Sequence, residues 1–313
     1  MNGPSRRAVA AGLPAAALAG AAAAKAVDVR GLTTYSESAM VMSVSADGRS
    51  AVTLRFCRFP EVGVTWLWCH MVRDGRMFAF TQHDLPCSSD RMADRADADY
   101  RSSGVQAALR RKGKGPGLEA VSASAQLKFH EGASAPLGPG GVAGSLAGVF
   151  TPVHTLGAQV LKDRDEVYGT FAAKLAAGPV RWQHEGVAKF HEQRQNGPRF
   201  GPPFCYSWLG GDGVAATTLL IPQAASGGWV FGDAEDALAG MTVQRPGEQR
   251  VADYRLRSGR RLHGELSAIV RYEIPIYDRH WQGSFVRGVV DGHAVVGVMN
   301  DWPGPPDIYA ASI

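Results

Sequence analysis

The stretch Val64-Thr65-Trp66-Leu67-Trp68-Cys69-His70 decides how this chain is read. In an extended strand successive side chains point to opposite faces, so Val64, Trp66, Trp68 and His70 share one side while Thr65, Leu67 and Cys69 share the other. Neither side is plainly polar, which suits a strand buried on both faces. A closed barrel or a sandwich supplies that burial, with one face meeting an interior and the other a covering layer. Residues 51–57 precede the stretch across a turn at Pro60 to Gly63, and Met77 to Phe80 follow across Arg73-Asp74-Gly75, so the three runs read as an antiparallel meander.

Working outward, period-two runs recur at Gln126–His130, Gly178–Gln195, Val214–Ile221, Trp229–Phe231, Gln249–Leu256, Arg261–Ile274, Phe285–Val290 and His293–Met299, separated by turn residues. The fold class expected is all-β, with two antiparallel barrel or sandwich domains in tandem over 27–197 and 198–313, the break falling near Asn196-Gly197-Pro198. A short surface helix is expected over Val105–Arg111 in an Ala/Arg-rich polar region, and a loop over Gly132–Gly148. The segment Phe204 to Trp208, which holds Tyr206 and Trp208, loosely echoes Tyr272 to Trp281, as a weak internal repeat would.

Composition narrows the function classes. Lys plus Arg number 33 against 29 Asp plus Glu, and the densest basic run, Arg110 to Lys114, has no interleaved aromatic ring, so a nucleic-acid partner is not expected. No G-x-S-x-G elbow, Walker loop or strand-linked G-x-G-x-x-G is present, and no cofactor is expected. His184-Glu185 and His191-Glu192 lack zincin spacing, and alternation sends His184 and His191 to opposite faces, so no metal site is expected. Cys57, Cys69, Cys87 and Cys205 show no metal-ligand spacing and read as buried free thiols. Residues 1–26 differ from the rest: Arg6-Arg7, an apolar Ala/Leu/Gly run, then Ala24-Lys25-Ala26, the marks of an export signal of twin-arginine type. The expectation is a periplasmic protein beginning near Val27, and peripheral association with the membrane is compatible with it.

Tyr277-Asp278-Arg279-His280-Trp281 is the densest chemical cluster, placing a carboxylic acid, an imidazole and two aromatic rings within five residues. An acid among rings is poorly solvated and keeps its proton near neutral pH, and ring faces stabilise a developing cation. Together they suit protonation of a carbon–carbon double bond. A plain strand-end pairing of Asp278 with Arg279 is the structural alternative.

With Gln282-Gly283, this block resembles the Asp-x-x-Trp block, commonly Asp-His-Asn-Trp-Gly, of the carotenoid 1,2-hydratase and AttH-like families. The resemblance is clearest over 210–302, with Arg279 and His280 standing where His and Asn are usual and Gln282 inserted before Gly283. It implies tandem lipocalin-like β domains and acid-catalysed hydratase or cyclase chemistry, without cofactor, on an isoprenoid or other apolar unsaturated small molecule. In that reading Asp278 is the proton donor, and His280 and Tyr277 assist it. Trp281, Trp66, Trp68, His83, Tyr206 and Trp208 line the substrate site. A lipocalin-like carrier without chemistry is the alternative from another class. A glycan-active protein using Glu265 or Glu273 with Asp278 is the third.

Overall fold

The computed structural model describes residues 35–157, 160–244, 249–303 and 308–312; the export-signal reading of residues 1–26 lies outside them. Ten strands form the first sheet: β1 (Tyr35–Val44), β2 (Ser50–Phe59), β3 (Val64–Arg73), β4 (Arg76–Pro86), β5 (Asp99–Arg101), β6 (Gln106–Lys112), β7 (Ala120–Glu131), β8 (Val142–Thr155), β9 (Arg164–Ala177) and β10 (Val180–Asn196). Their order is β4-β3-β2-β1-β10-β9-β8-β7-β6-β5, all antiparallel neighbours. Pairing of Phe78 with Glu131 and of Ala79 with His130 joins β4 to β7, so eight strands close into a barrel while β6 and β5 extend from the same edge of β7. Nine strands form the second: β11 (Phe204–Gly211), β12 (Val214–Ile221), β13 (Ala224–Phe231), β14 (Ala234–Gln244), β15 (Gln249–Leu256), β16 (Arg261–Ile276), β17 (Arg279–Val290), β18 (His293–Trp302) and β19 (Ile308–Ser312). Here β13 pairs with β14, and a second ring of eight closes. The protein is all-β, with two β domains.

Local chemistry sets the hairpins. Asp74 and Gly75 both have positive φ between β3 and β4, as do Asp291 and Gly292 between β17 and β18. Two left-handed residues make the turn whose twist matches paired strands, and Asp-Gly adopts it readily.

Three buried clusters follow. One holds Phe56, Leu67, Cys69, Phe129, Phe171 and Phe190 and fills the first barrel. Another holds Leu209, Trp229, Tyr254, Leu266 and Val286 and fills the second. The third lies between the barrels and joins Trp66 and Trp68 of β3 to Tyr206, Trp208, Tyr272, Trp281 and Trp302. The covering layer for the Trp66–Trp68 face is therefore the other barrel.

Two expectations need correction. Residues 105–111 do not form a helix: Gln106–Lys112 is strand β6, paired with β7. Ala107, Ala108, Leu109 and Arg111 are buried, and Arg111 meets Glu192 at 2.8 Å, so an open strand edge and a buried ion pair override local helix propensity. The Gly132–Gly148 loop is also shorter than expected, because β8 begins at Val142. Small residues along β8 let large neighbours close over it: a Cβ on Gly144 would lie 2.9 Å from the Phe129 ring. Cys57, Cys69 and Cys205 are buried and Cys87 is half-buried.

Candidate functional site

Between the barrels lies a cavity of about 200 Å3. Its walls come from alternate positions on the outer faces of the facing strands: Met40 and Met42 of β1, Thr53 and Arg55 of β2, Trp68 and His70 of β3, and His191 and Gln193 of β10. Opposite them stand Phe204 and Tyr206 of β11, Leu219 and Ile221 of β12, Tyr272, Trp281 and Asn300. The connection between the barrels supplies Pro198 to Pro202, whose Phe200 stacks on Trp66 at 5.7 Å and meets Trp281 edge-on at 5.7 Å. Most of this lining is apolar. Such enclosure strengthens any charge or hydrogen bond inside it.

One polar cluster is set into the apolar wall. Glu166 accepts from both Lys189 Nζ and Arg164 Nε. The Tyr206 hydroxyl oxygen accepts from Lys189 Nζ and, at 3.0 Å, from Arg164 Nη2. Arg164 also donates to Gln193 Oε1 at 3.0 Å and lies 3.1 Å from His191 Nδ1. Arginine only donates, so His191 Nδ1 is the acceptor and Nε2 carries the hydrogen; that Nε2 has no partner among the described residues. Burial lowers Lys189 to about 7 even with Glu166 beside it, so the amine titrates near neutrality. Burial, and then the Glu166 charge, raise Tyr206, which rests as the phenol. Burial drives His70 to about 3, and burial with the Arg164 and Lys189 charges drives His191 well below its ordinary value, so both imidazoles are neutral. Across the cavity the Tyr272 hydroxyl donates to Asn300 Oδ1 at 3.2 Å.

The residues singled out from sequence divide. Trp68, Tyr206 and Trp281 line the cavity. Trp66, Trp208 and His83 stand behind it: Trp208 is fully buried in the interbarrel cluster, and His83 stacks on Trp66 while its Nε2 accepts from Trp68 Nε1 at 2.8 Å. That bond fixes the orientation of Trp68. Tyr277 is half-buried with its ring edge-on to Trp66 at 5.8 Å.

The placement expected for Asp278 and His280 is corrected. Tyr277, at φ 59°, and Asp278 form the turn joining β16 to β17, and Asp278, Arg279 and His280 are exposed. A hairpin tip projects into solvent, and Asp278 does not line the cavity. Only from Trp281 onward does the strand turn its rings inward. Glu265 is exposed and Glu273 half-buried, and neither lines the cavity, so the pair proposed for glycan chemistry has no shared site with it.

Sequence reading missed Arg55, Arg164, Lys189 and Arg199. The available signal was a lone cation inside an apolar strand run, as with Arg55 among residues 51–57 and Lys189 beside Phe190. Gly283, noted only as part of the block, has a physical role. It lies opposite Tyr272, and a Cβ there would fall 2.1 Å from the Tyr272 ring, so the missing side chain is what seats that ring at the cavity.

No family model matches the sequence, and no curated protein matches it. Solved structures do. CghA, solved with Sch210972, matches at a TM-score of 0.58 and 12% identity over 90% of this chain and 89% of its own. An AttH-like protein of Nitrosomonas europaea matches at 0.59 and 11% over 89% and 97%. Kievitone hydratase of Nectria haematococca matches at 0.51 and 9% over 91% and 93%. At these identities the likeness is one of architecture: the chain has the tandem lipocalin-like β fold that these proteins share, the fold implied by the block at Tyr277 to Gly283.

Proposed function

We propose that this chain is a hydratase- or cyclase-type enzyme acting, without a cofactor, on an apolar unsaturated small molecule of isoprenoid kind held between the two barrels. One observation carries the reading: the Tyr206 side chain, its hydroxyl oxygen held by Lys189 and Arg164, lines an apolar cavity. Both cations donate to the phenol oxygen, so its own hydrogen is turned away from them. On proton transfer to one alkene carbon the phenolate forms beside Lys189 and Arg164, whose charges and hydrogen bonds offset part of the cost that burial and Glu166 impose on it. Lys189, titrating near neutrality, resupplies the proton. Trp68 and Trp281 present ring faces to the carbocation at the other carbon. Water adds there and its surplus proton returns through the Tyr206 hydroxyl to the Lys189 amine, which closes the cycle; an internal nucleophile in place of water gives cyclisation. Support from outside the chain is that one protein of like fold is a hydratase and another holds a small molecule. The periplasmic setting rests on residues 1–26 alone.

A carrier holding its ligand inside a barrel is less well supported, because side chains fill both interiors. The test is turnover of a panel of isoprenoid alkenes in heavy-oxygen water, read by mass spectrometry as addition of labelled water or as an isomer of unchanged mass. Tyr206→Phe keeps the ring and removes the proton, and should reduce turnover on the order of 10²-fold or more. Wild-type turnover in that variant would remove Tyr206 from the reaction.

A further inference from the structure

Among the described residues, arginines with buried side chains otherwise come with carboxylates. Arg58 pairs with Glu37, Arg111 with Glu192, Arg164 with Glu166 and Arg250 with Asp301. Arg55 and Arg199 do not. Arg55 is 6% exposed and makes no hydrogen bond or ion pair with any described residue; its guanidinium lies 4.2 Å over the Trp68 ring, and its Nε is buried without a partner. Arg199 is 8% exposed; its Nε donates to the neutral Ser36 Oγ at 2.7 Å, and its Nη2 is buried without a partner. Both exceptions line the same cavity. Among the described residues that line it there is no Asp or Glu, and Glu166 behind the wall is already shared by Arg164 and Lys189.

Removing a guanidinium from water without a counter-charge destabilises a fold, and replacement by an apolar side chain ordinarily relieves the cost. Two such groups facing one enclosed space make sense if their counter-charge arrives from outside. A ring face attracts a cation but offers no acceptor for its N–H groups, so the Trp68 contact leaves the hydrogen-bonding capacity of Arg55 unused.

We infer that the substrate of the interbarrel cavity carries an acidic head, a carboxylate or an acidic enol bound as its oxyanion, which Arg55 and Arg199 receive while the apolar body lies against Met40, Leu219, Phe204 and Trp281. The inference takes the same cavity as the proposed function but concerns binding, and it is tested without turnover. Arginine suits such a head, since its donors meet two oxygens in one plane and its charge shortens the bonds.

The experiment is calorimetric titration of the full chain with geranic and farnesoic acids, their methyl esters and a matched acidic 1,3-diketone. The wild type should bind at least one oxyanion about tenfold or more tighter than the ester. A preference for the acid assigns a carboxylate head, and a preference for the diketone an enolate. Arg55→Met and Arg199→Met should each erode that preference while ester affinity stays within about threefold, and the double variant should lose it. Arg55→Met should also melt no lower than the wild type, because it removes an uncompensated charge. Equal binding of acid, diketone and ester by the wild type, no binding of either oxyanion, or a preference that survives in the double variant would overturn the inference. Turnover lost or kept in Tyr206→Phe bears only on the proposed function, so the two can fail separately.

Discussion

Acidification from pH 7 to pH 5 should destabilise this fold by about 3 to 4 kcal/mol. His70, His184 and His191 are 1%, 2% and 2% exposed, and burial holds them neutral: His70 at about 3, His184 at about 4 and His191 well below its usual range. The unfolded chain protonates its histidines near pH 6.5, so below that value it binds protons that the folded chain refuses, and stability falls as pH falls through the window from 6.5 toward 4 and 3. Each histidine loses about 1.4 kcal/mol per pH unit there, hence about 2 kcal/mol by pH 5 and about 6 for the three. Glu192 works the other way. Burial pushes it up to about 7, despite Tyr100 and Arg111 beside it, so the folded chain takes a proton between 7 and the ordinary carboxylate range and offsets about 2 kcal/mol. The remainder should lower the melting temperature by roughly 10 °C for a chain of this size. Urea unfolding at the two pH values, with calorimetry alongside, measures it. His191→Gln, which removes one titrating group, should reduce the net pH dependence by about half. Equal or greater stability at pH 5 would refute the reasoning, since it would mean that the folded chain protonates these imidazoles.

Gly283→Ala should cost about 1 to 3 kcal/mol through overpacking, because the new methyl falls on the Tyr272 ring, and it should weaken ligand binding by moving that wall; melting and titration check both. Asp278→Asn, a change at an exposed turn, should leave turnover within about twofold of wild type. A fall on the order of 10²-fold in that variant would restore the general-acid role first read for Asp278.

The β class was legible because period two is a backbone property that sequence carries directly. Val64 to His70 also told that two layers cover β3, although not that the second layer is another barrel. Where reading failed, the cause was tertiary. Gln106–Lys112 has local helix formers, and only the open edge of β7 and the distant Glu192 make it a strand. Asp278 looked like a catalytic acid because aromatic residues flank it in sequence, but the hairpin turn leaves it exposed and outside the cavity lining. The polar cluster draws Arg164, Lys189 and Tyr206 from three strands, and no spacing rule joins them.

The cavity exists only where the barrels dock, so ligand affinity and domain docking depend on one surface. The segment between the barrels is part of that surface. Phe200 sits at φ 59°, a conformation that costs a bulky residue on the order of 1 to 2 kcal/mol, and what opposes the strain is its contact with Trp66, Trp281 and Trp302 and the bond from Trp302 Nε1 to its carbonyl at 3.1 Å. Held there, the segment closes the cavity with Phe200 and presents Arg199 to it. Trp281 joins the two roles, since it touches Phe200 and Trp68 and lines the cavity. The block at Tyr277 to Gly283 therefore matters less for its exposed acid than for Trp281, which holds the inter-barrel segment in place, and for Gly283, which leaves room for Tyr272.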